Sequence, residues 1–298
     1  MTLIGLISAA RPRLLPFVLL LVLAGYGWAH WESALPLTSA WGLVMVLLSW
    51  TALHSGTLWW NAARDRDEGP VLFGEPGRGG SVPAALIALV TSVLLAASVG
   101  PWAASCAAVS ALLAVGYSHS KIAWKGHPFL GPLVNFLGYG LLSPAVGYAV
   151  VGPTVGPRTV LIWVFSGIGV LSMYFVAQAF QQDEDRSRGD RTLVATGGPR
   201  AAIAAARICL AVAASGGLVL VLAGWLPTLL GCSVPLWFWV DRGLRSATHS
   251  PSEMWARAMV FRLGAAAVAA LLFALMSYVA DSSSGGPVAG LATNGGHP

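Results

Sequence analysis

Charge is scarce in this chain: Asp, Glu, Lys and Arg together make up 10% of its 298 residues, against roughly a quarter in a typical soluble domain. So few ionic groups cannot dress the surface of a water-solvated globule of this length. Segments of alternating polarity are also missing, which excludes a transmembrane barrel. Cysteine is limited to Cys106, Cys209 and Cys232, each inside an apolar run without a neighbouring His, so neither a disulfide framework nor a Cys/His metal site is encoded. Blocks of basic residues are absent as well. The net charge of +5 is spread over short polar breaks, and nucleic acid is not an expected partner.

Apolar sequence fills the space that charge leaves: 56% of the residues are hydrophobic, 13 are Trp, and the mean hydropathy is +0.71. Long runs rich in Leu, Ala, Val and Gly recur from Leu14 to Met276, most of them long enough to cross about 30 Å of hydrocarbon as helices. Cutting at polar and Pro/Gly-rich breaks gives spans at 13–31, 38–61, 82–99, 101–118, 129–151, 158–180, 201–223, 225–241 and 257–280. The fold expected is all-α: a polytopic bundle of about nine transmembrane helices over 1–280, surrounded by membrane lipids. The first run follows Arg11 and Arg13 but lacks a small-residue cleavage site, and so reads as a span. The Ser/Gly-rich stretch 281–298 has too little apolar content to fold alone and is expected to be disordered.

Counted along these spans, sixteen of the 17 Lys and Arg fall on one side, with Arg158 opposite. Under the positive-inside rule that side is cytoplasmic, which puts the N-terminus inside and the tail outside. Acidic residues contribute little to orientation, yet ten of the 12 share that side. Eight of them form two clusters, Asp65, Asp67, Glu68 and Glu75 after the second span and Asp183, Glu184, Asp185 and Asp190 after the sixth. In a chain so poor in charge, this concentration marks candidate chemistry.

If the second helix continues to Asp65, His54, Asn61 and Asp65 share one of its faces. By the same spacing Gln178, Gln181 and Asp185 share a face at the end of the sixth, with Asp183 to its side. Polar groups inside a bilayer are costly, so Gln178 and Gln181 should face the bundle interior or a wet cavity. Carboxylates at the ends of two helices suit a hard cation such as Mg²⁺, which commonly takes one or two carboxylates and completes its shell with substrate phosphates. A third polar segment, Tyr117 to Pro128, supplies Lys121 and Lys125 to hold phosphate. It is followed by Asn135 and Tyr139 inside the fifth span.

These motifs resemble those of the UbiA-type intramembrane prenyltransferases, over nearly the whole spanning region. The first family motif, Asn-Asp-x-x-Asp-x-x-x-Asp, is matched by Asn61 and Asp65 but not by Ala62 or Gly69, with Asp67 as an added acid. The second, Asp-x-x-x-Asp-x-x-x-Gly-x-x-Thr, is matched by Asp185, Gly189 and Thr192, with Gln181 in place of the first Asp. Tyr117, Ser118, Lys125 and Gly126 match the fourth-loop signature, from which Ser120, Lys121, Ala123 and Trp124 depart. The resemblance implies nine helices, an isoprenyl diphosphate substrate and a lipophilic, often aromatic, acceptor.

It also implies Mg²⁺ on Asn61, Asp65, Asp67, Asp183 and Asp185. Asp65, Asp185 and Lys125 would carry the catalysis. Asn61, Tyr117, Lys121, Asn135, Tyr139, Gln178, Gln181 and Arg191 would bind substrate. Trp59, Trp60, Tyr139 and Tyr174 are candidates to line the cavity and shield an allylic cation. A terpene cyclase working on the diphosphate alone and a non-catalytic lipid-binding descendant are the alternatives, the second motivated by the reduced acidic motifs. The orientation has a direct check: a reporter fused after Pro298 should appear outside the cytoplasm and one placed within 77–80 inside. Both on one side would rule out nine crossings.

Overall fold

The computed structural model of the chain describes residues 3–33, 40–64, 72–73, 80–152, 154–247 and 251–283. Every regular element among them is helical. A short α1 (Leu3–Ala9) precedes α2 (Leu15–Ser33), α3 (Ala40–Arg64), α4 (Val82–Ala97) and α5 (Pro101–Ser118). The fifth crossing is composite: α6 (Leu130–Asn135), a π-helical stretch Phe136–Leu142 and α7 (Ser143–Ala149). Then come α8 (Pro157–Gln178), the short α9 (Gln182–Ser187), α10 (Leu193–Leu222), a 3-10 turn Thr228–Ser233, α11 (Val234–Arg245) and α12 (Glu253–Ser283).

Seven of these crossings are long and apolar enough to span a bilayer: α2, α3, α5, Leu130–Ala149, α8, α10 and α12. The two remaining expected spans are helical but shorter. Helix α4 has 16 residues, and α11 has 12 with the six-residue 3-10 turn directly ahead of it. The chain is thus an all-α, polytopic membrane protein. Proline stands in the first turn of α4, α5, α7, α8 and α11, where its missing N–H costs no helical bond.

Boundaries shift where tertiary contacts outweigh hydropathy. Helix α10 begins at Leu193 rather than near 201, because Thr192 caps it by accepting from the Ala195 N–H at 3.2 Å. It then kinks at Gly198 (φ 76°), just before Pro199. Helix α12 runs to Ser283, past the expected boundary at 280, and the rest of the tail lies outside the described residues.

Between lipid-exposed helices the hydrophobic effect offers little net drive, so close packing and buried hydrogen bonds hold the bundle together. Two glycines bring α2 and α7 into backbone contact: a Cβ on Gly25 would overlap the Pro144 carbonyl, and one on Gly147 the Val22 carbonyl. Trp50 on α3 donates its indole N–H to Ser143 Oγ at 2.8 Å, and Ser143 donates to the Gly138 carbonyl at 3.2 Å inside the π stretch. Ser49 bridges α3 to α4 through the Ser92 carbonyl at 2.8 Å. Trp28 bridges α2 to α8 through Thr159 at 3.1 Å.

The α2–α7 seam predicts a clear pair of outcomes. Gly147→Ala should lower the melting temperature in detergent, since overpacking of this kind typically costs about 1–3 kcal/mol or more. Gly27→Ala, where an added Cβ meets nothing within 4 Å, should leave melting unchanged or slightly raised.

Candidate functional site

A cavity of about 660 Å³ runs between α2, α3, α5, the fifth crossing, α8, α10, α11 and α12, within the usual size of small-molecule sites. Its body is apolar, lined by residues such as Leu53, Phe165, Val170, Leu218 and Leu271. Its other end gathers Asn61, Lys125, Gln178, Gln181, Asp185, Arg188 and Asp190. That end is where α3, α5 and α8 finish and α9 lies. The shape matches a ligand with a long apolar body and an anionic head.

Helix α3 contributes one polar stripe: His54, Thr57 and Asn61 all line the cavity, at spacings of three and four residues. Asn61 Oδ1 is buried with no hydrogen-bond partner, and the buried His54 ring lies against the Ala10 and Arg11 backbone. The helix ends at Arg64, and Asp65 and Asp67 lie outside the described residues.

The fourth loop is held by two small-residue contacts. Trp124 packs on Gly116, where a Cβ would come within 2.5 Å of its ring, and Gly126 presses on Asp190 so closely that a Cβ would overlap its carboxylate. The Arg191 N–H donates to the Gly126 carbonyl at 2.7 Å. Between these anchors a single 3-10 turn carries Lys125 into the cavity wall. His127 closes the segment by accepting from the Phe129 and Leu130 N–H groups at 3.2 and 3.3 Å. Asn135 and Tyr139 line the cavity beyond it, and the Asn135 amide nitrogen is turned back onto the Gly131 carbonyl at 3.0 Å. The π stretch that presents Tyr139 is the kind of distortion that recurs at functional sites.

On the α8–α9 side the expected single helical face does not form. Helix α8 stops at Gln178, and α9 restarts at Gln182 after a turn through Gln181 (φ −102°, ψ 15°). Gln178, Gln181 and Asp185 nevertheless line the same cavity. Gln178 is buried, donates to Tyr174 Oη at 2.8 Å and leaves its Oε1 unpartnered. Gly189 (φ +76°) then turns the chain so that the Asp190 N–H donates to the Asp185 carbonyl at 2.9 Å. A residue with a side chain would be strained at that φ.

Asp185, 3% exposed, is gripped from both sides. Thr192 Oγ1 donates to its Oδ2 at 2.6 Å and Arg188 Nη2 to its Oδ1 at 2.7 Å. Arg188 reaches two further carboxylates, Glu184 Oε1 and Asp190 Oδ2, both at 3.1 Å. Burial pushes the Asp185 carboxyl above its ordinary range, against the opposing pulls of the Thr192 hydroxyl and the Arg188 guanidinium.

Several expected members stand elsewhere. Asp183, Lys121 and Arg191 are exposed and do not line the cavity. Asp183 sits on the outward side of α9, and Arg191 serves through its backbone. Trp59 and Trp60 are also off the cavity: Trp59 donates to the Leu6 carbonyl at 2.8 Å, and Trp60 donates to the Val115 carbonyl at 3.2 Å beneath the Arg64 guanidinium. The aromatic lining includes the expected Tyr117, Tyr139 and Tyr174, together with Trp28, Trp50 and Phe165. Sequence reasoning passed over Arg188, although it stands one helical turn from both Glu184 and Asp185. It also passed over Arg11, which carries no local signal of a cavity, whereas the deep His54 lines the cavity on the face expected of it.

The sequence profile of the UbiA prenyltransferase family matches residues 13–265. The fold is similar to that of a UbiA homologue from Archaeoglobus fulgidus bound to DMAPP and Mg²⁺, with TM-score 0.66 and 16% identity over 91% of this chain and 99% of that one. It is also similar to the apo structure of a UbiA homologue from Aeropyrum pernix K1, with TM-score 0.62 and 18% identity over 86% and 98%. A structure of digeranylgeranylglyceryl phosphate synthase gives TM-score 0.57 and 14% identity over 93% and 98%. No curated protein matches the sequence significantly.

The double role of Thr192, capping α10 while holding Asp185, predicts a measurable loss. Thr192→Val should destabilise the protein by about 2–4 kcal/mol, combining a lost cap with a lost bond to a charged group. Thr192→Ser should retain most of that stability. Thr196→Val serves as the control, since its hydroxyl bonds only backbone carbonyls within its own helix. Thermal denaturation of the four proteins in one detergent reads the difference.

Proposed function

The chain belongs to the UbiA prenyltransferase family, and from that membership we propose that it transfers an isoprenyl group from an isoprenyl diphosphate to a lipophilic acceptor inside the membrane. The observation that carries this reading is the amphipathic cavity: an apolar body ending in Lys125, Arg188 and the unpartnered oxygens of Asn61 and Gln178. In this reading the isoprenyl tail lies in the apolar body and the diphosphate at the polar end, on the cytoplasmic side. The Archaeoglobus fulgidus homologue bound to DMAPP and Mg²⁺ supports the same substrate class.

The α3 side fits Mg²⁺. Asn61 offers a buried carbonyl oxygen without a partner, and Asp65 and Asp67 follow four and six residues later in the sequence. These three residues would hold the ion. Mg²⁺ bound there would supply positive charge to the departing diphosphate.

Lys125 meets the phosphate oxygens and stabilises the charge that builds on them as the carbon–oxygen bond breaks, its electron pair leaving with the diphosphate. Tyr139, Tyr174, Trp28 and Trp50 present ring faces and exclude water while the allylic cation exists. The acceptor's nucleophilic atom then bonds to that carbon and gives up its proton.

The test is incubation of purified protein with labelled C10 to C20 diphosphates and Mg²⁺, with and without a lipophilic acceptor such as a quinol precursor or an aromatic acid. Magnesium-dependent diphosphate release and an acceptor-dependent lipid product are expected. A cyclic hydrocarbon made without acceptor would replace transferase by cyclase, and no diphosphate release at all would overturn the enzymatic reading. Asp65→Ala should abolish turnover with the melting temperature unchanged, because in this reading it removes a metal-binding carboxylate.

A further inference from the structure

The α9 half of the site does not fit a metal ion, although the two acidic motifs that this chain resembles imply one on each side. Both carboxylate oxygens of Asp185 already accept a hydrogen bond, from Thr192 at 2.6 Å and from Arg188 at 2.7 Å, and the second donor brings a positive charge that repels a cation. Gln178 and Gln181 bring neutral amides to the same wall. Among the described residues no group of three His, Cys, Asp or Glu side chains is arranged to hold a metal ion. A guanidinium stands instead at the point where Glu184, Asp185 and Asp190 converge.

Resting on the diphosphate-binding function proposed above, we propose that Arg188 takes the place of the second metal ion, so that the protein binds its diphosphate with one Mg²⁺ and one fixed guanidinium. Three observations converge on this assignment. Arg188 lines the cavity beside Asp185 and Asp190, so its charge lies where a diphosphate would sit. Its three carboxylate contacts fix it in place, and guanidinium geometry suits phosphate as well as carboxylate oxygens. The third is the other side of Asp185, where Thr192 donates to the carboxylate oxygen that Arg188 does not reach, so both oxygens already have hydrogen-bond donors without a metal.

The substitution has an electrostatic logic. An amide in place of a carboxylate removes the negative charge that attracts a cation. An arginine among the remaining carboxylates neutralises part of what is left. A fixed guanidinium does not dissociate and needs no site of its own charge type, whereas Mg²⁺ demands near-octahedral oxygen ligands.

The experiment counts metal ions. Mn²⁺ bound per chain is measured by equilibrium dialysis in detergent, with a saturating non-ionisable prenyl thiodiphosphate as the probe. One Mn²⁺ per wild-type chain is the expected result. Arg188→Ala should weaken binding of the thiodiphosphate about tenfold or more, with Arg188→Lys recovering part of it. The double variant Arg188→Ala/Gln181→Asp should bind a second Mn²⁺, because it frees Asp185 and adds a carboxylate beside it. Two Mn²⁺ on the wild-type chain with the analogue bound would overturn the assignment of Arg188 and leave the proposed function standing. Failure to bind either Mn²⁺ or the analogue would overturn both.

Discussion

Hydrocarbon offers no hydrogen-bond partner to a backbone amide, so a chain this apolar can leave regular helix only where protein or a wet cavity takes up the released groups. Its irregularities obey that constraint. The π stretch Phe136–Leu142 places Gly138 and Tyr139 on the cavity, and one of its carbonyls is satisfied by Ser143, itself held by Trp50. The break between α8 and α9 falls at Gln178–Gln181, again on the cavity wall. Backbone distortion and polar side chains therefore occur together, and together they define the functional end of the bundle.

The same constraint governs how the polar end is assembled. A carboxylate as buried as Asp185 would be costly alone, and removing one partner from such a group typically costs about 3–5 kcal/mol. Here Thr192 and Arg188 share the load. Thr192 in turn is fixed as the cap of α10, and Asp190 is fixed against Gly126 in the loop that carries Lys125. The α9 turn, the start of α10 and the fourth loop are thus one interlocked unit. Lys125 and Asp185 face the cavity from separate loops because that unit leaves little room for either to move.

Much of this fold was legible in the sequence. The spans follow from hydropathy, and their boundaries agree with the helices to within a few residues except at α10, where a side-chain cap at Thr192 extends a helix that hydropathy alone starts later, and at α11, where a 3-10 turn fills the first part of the expected span. The break in α8 was not legible. No Gly or Pro stands at 179–181, and the spacing of Gln178, Gln181 and Asp185 reads as one continuous helical face. What breaks the helix is tertiary: the grip on Asp185 and the turn at Gly189. The resembled signature alone set Lys125 apart from Lys121, and the physical reason is tertiary: Trp124 on Gly116 and Gly126 on Asp190 hold the turn that carries Lys125 into the cavity wall. Asp185 was likewise set apart from Asp183 by the motif and by its spacing from Gln178 and Gln181, and the short α9 buries Asp185 while leaving Asp183 exposed.

That last difference bears on how the reduced acidic motif is to be understood. Read as sequence, the loss of a carboxylate at 181 looks like decay, with Asp183 and Glu184 as nearby replacements. The structure assigns those two acids other positions: Asp183 is exposed, and Glu184 accepts from Arg188. The two amides and the arginine alter the local field in the same direction, each lowering the attraction for a cation at α9, while the α3 side keeps Asn61 and the acids that follow it. Random loss of a metal site would not be expected to place a guanidinium at its centre with three carboxylates holding it. Under the proposed function the asymmetry between the two walls is a division of labour, with a metal drawn to one side of the diphosphate and a built-in cation presented by the other.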